Sequence, residues 1–559
     1  MKLAPRLGIV LCLFPLTLIA QPKKKDPAIE RYRQHAQEHG NAKRGKKLFN
    51  GKKARCSACH AVGGSERKAG PDLQGIADKY QRAALINHVL EPSTSILADY
   101  ATTLIVTEKG ITLTGILRKR NDREVQLVND QGKLLRLPLG DIQLEKKTKK
   151  SLMPDDLHKA VTVDQFGDLI AYMASLKQPI NRKVTAAIPE LREPIRFVPF
   201  NERKHDFKLP VWFSALPGSK DKFVVAEQQT AKVWLLHKHP SGDRKTLFVD
   251  LDSEVSDGKF EGVIGFAFHP DFIRNRKYYI DHNIRTKGKK FSTVVIERQA
   301  TKDLSRDAGV PTRRLIHIQQ DTDVHCGGMV GFGPDGYLYI GTGDGGPQKD
   351  PEGHGQNTEL LLGKVLRIDV NRRDKGLQYA IPRTNPFFKS QGKTRREIFA
   401  YGFRQAWRFS WDPLSKEMWV GDVGQNLYEE VSLIKVGENH GWNVFEGFNK
   451  FSDKYRKPGR KFVMPIIAYP RKLGVSVTGG YVYRGRRSPS YYGAYIFGDF
   501  ETKRIWALKQ SNRQLLKVRQ IGTSPQKIVS FGVDHEGEIY LVGYEGAIYR
   551  LDLSDSVFE

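Results

Sequence analysis

One strand-and-turn phrase, repeated from about residue 205 to the end, constrains this chain more than any other feature. Lys222–Leu236 (KFVVAEQQTAKVWLL), Gly336–Gly346 (GYLYIGTGDGG), Glu417–Asn426 (EMWVGDVGQN), Ala494–Leu508 (AYIFGDFETKRIWAL) and Glu538–Leu553 (EIYLVGYEGAIYRLDL) each run strand, Gly/Asp turn and often a second strand. Glu261–Ile280 echoes them. Self-similar strands at a period of very roughly 60 residues predict a propeller, and about 350 residues at that spacing make about six blades. A pair of β-sandwiches explains the echoes less well. The 52 glycines suit such a turn-rich architecture.

A chain of 559 residues exceeds one ordinary core, so further domains are expected. Met1-Lys2 and Arg6 precede the apolar run Leu7–Ala20, the pattern of a secretory signal peptide over residues 1–20 and too short for a comfortable span. An uncleaved anchor is the alternative. The protein is expected to be exported, periplasmic or extracellular, with no transmembrane span. Residues 21–43 read as a flexible polar leader, 44–178 as a mainly α domain with a β-hairpin insert, 179–204 as a proline-punctuated linker, and 205–559 as the all-β six-bladed propeller. Lys+Arg exceed Asp+Glu by 29, but the charges are dispersed. Dispersal and export speak against nucleic acid and leave peripheral membrane contact open.

Outside the apolar leader only Cys56, Cys59 and Cys326 remain, too few for a disulfide scaffold. Cys56-Ser57-Ala58-Cys59-His60 is the C-x-x-C-H attachment sequence of haem c: two thioethers fix the porphyrin edge and the adjacent His60 ligates iron. Met153, in Ser151-Leu152-Met153-Pro154, is the expected sixth ligand. Its rival, Met173, lies on an apolar helix face where methionine more often packs.

Several phrases then carry a resemblance. Gly70-Pro71-Asp72-Leu73 resembles the cytochrome c loop that packs beside the haem, and residues 44–178 resemble the haem-binding module attached to many planctomycete enzymes. Val324-His325-Cys326-Gly327-Gly328, Gly341-Thr342-Gly343-Asp344-Gly345-Gly346, Tyr401-Gly402-Phe403-Arg404-Gln405, Val420-Gly421-Asp422-Val423-Gly424-Gln425-Asn426, Gly441-Trp442-Asn443 and Thr478-Gly479-Gly480-Tyr481 are together similar to the glucose/sorbosone dehydrogenase family. These are soluble sugar dehydrogenases that use pyrroloquinoline quinone (PQQ) and calcium. The resemblance implies His325 as base, Asp344 as the carboxylate that orients it, and Arg404 beside the hydride-accepting carbonyl. It further implies Gln405, Arg484 and Arg504 as quinone contacts, and Gly424 and Gln425 as backbone ligands of Ca2+. Cys326 and Gln405 depart from the family pattern, where asparagine is common.

The expectation is a quinohaemoprotein oxidising an aldose or related alcohol and passing electrons through haem c to an external acceptor. A non-sugar alcohol is a variant of that reading. The competing class is a non-catalytic propeller that binds carbohydrate or protein, with the haem as electron carrier or sensor.

Overall fold

A computed structural model describes residues 26–63, 67–121, 123–178, 181, 183–200, 207–238, 243–255, 261–286 and 290–558; the expected signal peptide lies outside them. The N-terminal part begins with helices α1 (Pro27–Glu38), α2 (Ala42–Asn50), α3 (Cys56–Cys59), α4 (Ile76–Lys79) and α5 (Arg82–Leu90), and closes with α6 (Val163–Ser175). α6 is the hub, packing on α1, α2 and α5. A Thr162/Gln165 capping box starts it, and its buried Asp168 accepts from Asn41 N at 2.6 Å and Arg44 Nε at 2.7 Å, tying it to the start of α2. Gly45 lets α2 approach: a Cβ there would lie 1.9 Å from the Asp168 carbonyl oxygen.

Two expectations change here. Residues 27–38 of the expected flexible leader form α1, capped by Asp26 and started by Pro27, with Ala36 fully buried and Ile29 and Tyr32 on the helical core. Its polar composition concealed a narrow apolar stripe. The insert is a single five-stranded sheet of β1 (Thr102–Thr107), β2 (Thr112–Arg120), β3 (Glu124–Val128), β4 (Leu134–Pro138) and β5 (Ile142–Lys147), in the order β4-β3-β2-β1-β5.

The remainder is mostly β: the described residues form six four-stranded antiparallel sheets, spanning 210–250, 262–320, 329–401, 406–470, 477–523 and 528–552. The sixth takes its outer strand, Arg196–Pro199, from the expected linker. That linker is stitched down before it gets there: Thr185 N donates to Ala468 O, and Leu191 N and Ile195 N donate to Gln520 O and Ile521 O. An extended, proline-containing segment can still pair at a sheet edge. The first strand of each sheet packs against the first strand of the next, and Ile528–Val533 of the last packs on Pro210–Ala215 of the first. The repeated phrases of the sequence fall mainly on the second strand of each sheet.

Arg408, on the first strand of the fourth sheet, reaches the middle of this arrangement. It donates to Val211 O at 2.8 Å, Ile264 O at 3.1 Å and Ser530 Oγ at 3.0 Å, and also to Gly328 O. It stacks on Trp407 at 4.2 Å. Burial lowers its pKa to about 9. Asp281, on the second strand of the second sheet, is a carboxyl that feels the charge of Arg408, and neither of its oxygens has a hydrogen-bond partner among the described residues. Desolvation lifts Asp281 to about 7, with Arg408 opposing. A carboxyl whose pKa is raised by folding stabilises below its unfolded pKa and loses that contribution as pH rises through the folded one. Wild-type stability should therefore fall between about pH 4 and 7. Asp281→Asn should flatten this window and be the more stable form at pH 8, by on the order of a few kcal/mol. Urea midpoints at pH 5 and 8 test this, and parallel profiles for the two proteins would refute it.

Candidate active site

The haem-attachment sequence starts at α3, which sets Cys56 and Cys59 one turn apart, with His60 closing it. His60 Nδ1 donates to Pro71 O at 2.8 Å, so Nε2 keeps the lone pair. Burial lowers the His60 pKa, with the Pro71 bond opposing, and the ring stays neutral as a metal ligand must. Burial raises the Cys56 thiol to about 11 and also lifts Cys59. Gly70 cradles the ring, since a Cβ there would sit 2.5 Å from His60 Cε1. Met153 and Met173 both pack on the apolar cluster that also receives Cys56. Two thiols, a tautomer-fixed imidazole and a nearby thioether fit haem c. Gly70→Ala should displace the His60 ring and change the absorption spectrum of the haem-loaded protein; an unaltered spectrum would refute the cradle.

On the β domain, His325 and Asp344 flank the first two strands of the third sheet, and Arg404 and Gln405 precede the fourth. His325 adopts a left-handed backbone (φ 52°) and its Nδ1 donates to Asp344 Oδ1 at 2.7 Å. Asp344 is completely buried and also accepts from Gly346 N and from Trp442 Nε1, each at 2.8 Å. Burial pushes its carboxyl up, but His325 and Arg404 outweigh burial and hold it below the usual range. Arg404 Nη2 donates to His325 Nε2 at 2.8 Å and its Nη1 to Val423 O at 3.0 Å. The fold thus brings His325, Asp344 and Arg404 together in one bonded cluster.

The other expected contacts fare differently. Gln405 is turned back on the chain, pairing with Gly327 N and O at 3.3 Å each. Arg484 does not join the site. It forms a bidentate pair with Asp412 (2.8 and 2.6 Å), just past the far end of strand Ala406–Trp411, whereas Arg404 lies before the strand's start. Arg504 donates to the Lys472 and Leu473 carbonyls at 3.0 and 2.8 Å. Beside Gly424 and Gln425, the backbone N–H groups of Gln425, Asn426 and Leu427 converge on Glu446 Oε1 at 2.7–2.8 Å. The second oxygen, Oε2, is buried and without a hydrogen-bond partner among the described residues, which suits a hard cation at this loop. Cys326 accepts from Asn283 Nδ2 at 3.1 Å, and burial lifts its thiol to about 12, so it is an unreactive group.

Residues that the sequence did not single out complete the surroundings, and several come from the N-terminal part. Asp99 Oδ2 lies 3.8 Å from His325 Nε2 and accepts from Gln348 N at 3.2 Å, while Tyr100 OH donates to Gln348 Oε1 at 3.2 Å. Asp72 Oδ2 pairs with Lys349 Nζ at 2.7 Å, both side chains 2% exposed. Lys147 pairs with Asp323 at 2.6 Å. Burial lowers Lys79, at the end of α4, to about 8, with Arg471 adding to the effect. Nothing local marks Asp99 in the sequence, whereas Trp442, within Gly-Trp-Asn, and Asp72, within Gly-Pro-Asp-Leu, each had a motif to find it by.

A mostly β domain with a buried imidazole–carboxylate–guanidinium cluster is thus preceded by a C-x-x-C-H module. The glucose/sorbosone dehydrogenase model matches residues 207–550 and the cytochrome c model residues 42–104. The chain belongs to the glucose/sorbosone dehydrogenase family, with a cytochrome c domain at its N-terminus. It is 30% identical over 409 residues to HIPL2 protein of Arabidopsis thaliana, covering 58% of each chain, so it spans less than two thirds of that relative. It is 24% identical over 299 residues to aldose sugar dehydrogenase YliI of Escherichia coli, covering 52% of this chain and 77% of that one. The PQQ-bound aldose sugar dehydrogenase of Streptomyces coelicolor shares the fold at a TM-score of 0.51 and 19% identity, covering 66% of this chain and 99% of that one.

Proposed function

We propose that the protein is an exported quinohaemoprotein that oxidises an aldose or related alcohol and passes the electrons to haem c held by Cys56, Cys59, His60 and Met153. The six sheets are read as the blades of a six-bladed propeller. The bonded cluster of His325, Asp344 and Arg404 carries this reading. It supplies what alcohol oxidation needs: a base, a partner that fixes its tautomer, and a fixed cation.

PQQ bound against Arg404, with Arg504 at the same end of the sheets, would accept the two electrons and hydrogen leaving the alcohol carbon. The remaining work belongs to the side chains. With Nδ1–H committed to Asp344, His325 Nε2 is the atom that takes the hydroxyl proton, the alcohol O–H replacing the Arg404 N–H that Nε2 otherwise accepts. Asp344 Oδ1 stabilises the imidazolium as it forms, and its other bonds, to Gly346 and Trp442, keep it from turning away. Arg404 stabilises negative charge developing beside it, and its bond to Val423 O fixes its direction. Glu446, together with the Gly424 and Gln425 carbonyls, would hold Ca2+. Burial of the cluster excludes water, strengthening each of these interactions.

The test is oxidation of D-glucose and other aldoses by protein loaded with haem, PQQ and calcium, followed by reduction of an artificial dye. His325→Ala should lower kcat by roughly 100-fold or more while sugar binding survives. Asp344→Asn should lower it in the same direction through loss of the anionic partner. A wild-type protein that oxidises no aldose, or a His325→Ala variant that turns over normally, would overturn the proposal.

A further inference from the structure

We propose that the buried Asp72–Lys349 ion pair latches the N-terminal module onto the imidazole face of the β domain, so that electrons leave the site through the haem of the same chain. The inference rests on the reading above and adds the residues that couple the two parts.

The latch lies on a continuous line of bonds. His60 Nδ1 donates to Pro71 O, and the next residue, Asp72, pairs with Lys349 through Oδ2. Its other oxygen, Oδ1, accepts from Gly63 N at 2.9 Å and Gln74 N at 2.8 Å, which fixes the carboxylate in the haem-attachment loop. On the other side Lys349 N donates to Gln425 Oε1 at 2.8 Å, and the same oxygen accepts from Arg404 Nε at 3.3 Å. Arg404 then reaches His325. Lys349 and Asp350 both have positive φ (74° and 44°), a strained backbone that persists only where its surroundings hold it.

Three other segments of the module grip the same face. Asp99 and Tyr100 hold Gln348, Lys147 holds Asp323, and Gln178 donates to Leu427 O and accepts from Arg471 N. A module held at four separated places is docked, not tethered. Separating the latch would strand two charges that are almost fully out of water, which favours an all-or-none contact. The cover also closes the site, since the His325 side chain is 10% exposed and that of Asp99 5%. A protein-sized acceptor cannot touch the imidazole cluster. Oxidising one alcohol to its carbonyl product breaks the O–H bond and one C–H bond, and releases two protons and two electrons. The iron carries one electron at a time. Two molecules of an external one-electron acceptor are therefore reduced per turnover, both at the module.

The full-length holoprotein tests this with two readouts. Haem reduction after mixing with D-glucose should be first order and independent of protein concentration in the wild type. In Lys349→Met and Asp72→Asn it should slow at least tenfold or become proportional to protein concentration. Thermal unfolding followed by haem absorbance and by tryptophan fluorescence should coincide in the wild type and separate in those variants. Lys349→Arg, which keeps the cation, should retain coincidence. Concentration-dependent haem reduction in the wild type, or variants with coincident transitions and wild-type haem reduction, would overturn the latch. A wild type that oxidises no aldose yet shows coincident transitions that separate in Lys349→Met would defeat the catalytic reading and leave the docking standing.

Discussion

The Arg408 guanidinium is the constraint on which the β domain's geometry turns. Its donors satisfy carbonyls of the first and second sheets, the turn before the third, and a hydroxyl on the sixth, all from the fourth. Those acceptors sit where the sheets converge, and a buried carbonyl left without a donor there costs free energy. One planar cation with five N–H donors can serve them together; a lysine could not match that fork. Once the sheets are held at this distance, the loops before the third and fourth sheets meet, and His325, Asp344 and Arg404 come within bonding reach.

Electrostatics at that meeting point are arranged by burial and then by pairing. Asp344 is driven up by desolvation and brought back down by His325 and Arg404, so the carboxylate stays charged and the imidazole keeps one tautomer. Asp350, on the loop that follows, is raised by burial and by the charge on Asp344, with the Gly355 and His354 N–H groups and Lys364 opposing. Asp422, which accepts the Arg404 and Gln405 backbone N–H groups, is lifted to about 6 by burial. Two carboxylates therefore flank the imidazole, Asp344 bonded to Nδ1 and Asp99 3.8 Å from Nε2.

The N-terminal module extends the same logic. Its haem-attachment loop ends in Asp72, and the partner of that carboxylate is a lysine on the loop that follows Asp344. Positioning the imidazole of the module and the imidazole of the β domain is therefore a single packing problem. The five-stranded insert contributes by carrying Lys147 and, just before β1, Asp99 and Tyr100. A minimal cytochrome lacks the surface to reach the β domain at so many places.

Local chemistry was enough to read some of this from residues alone. Cys56, Cys59 and His60 are adjacent in sequence, so their geometry is set within one helical turn. Strand-and-turn phrases reveal sheets because alternation and Gly/Asp turns are local too. His325, Asp344 and Arg404 were legible through the motifs around them. Arg484 was misplaced because a residue's end of a strand depends on how many residues pair before it, which no motif records. Helix α1 hid behind polar residues because its apolar stripe acquires meaning only against α5 and α6. Asp99 and Lys349 were invisible, since each takes its role from a partner far away in the chain. The sequence by itself determined which side chains could do chemistry, through short-range spacing. The tertiary structure alone decided which charges are buried together, because desolvation and ion pairing act through space and not along the chain.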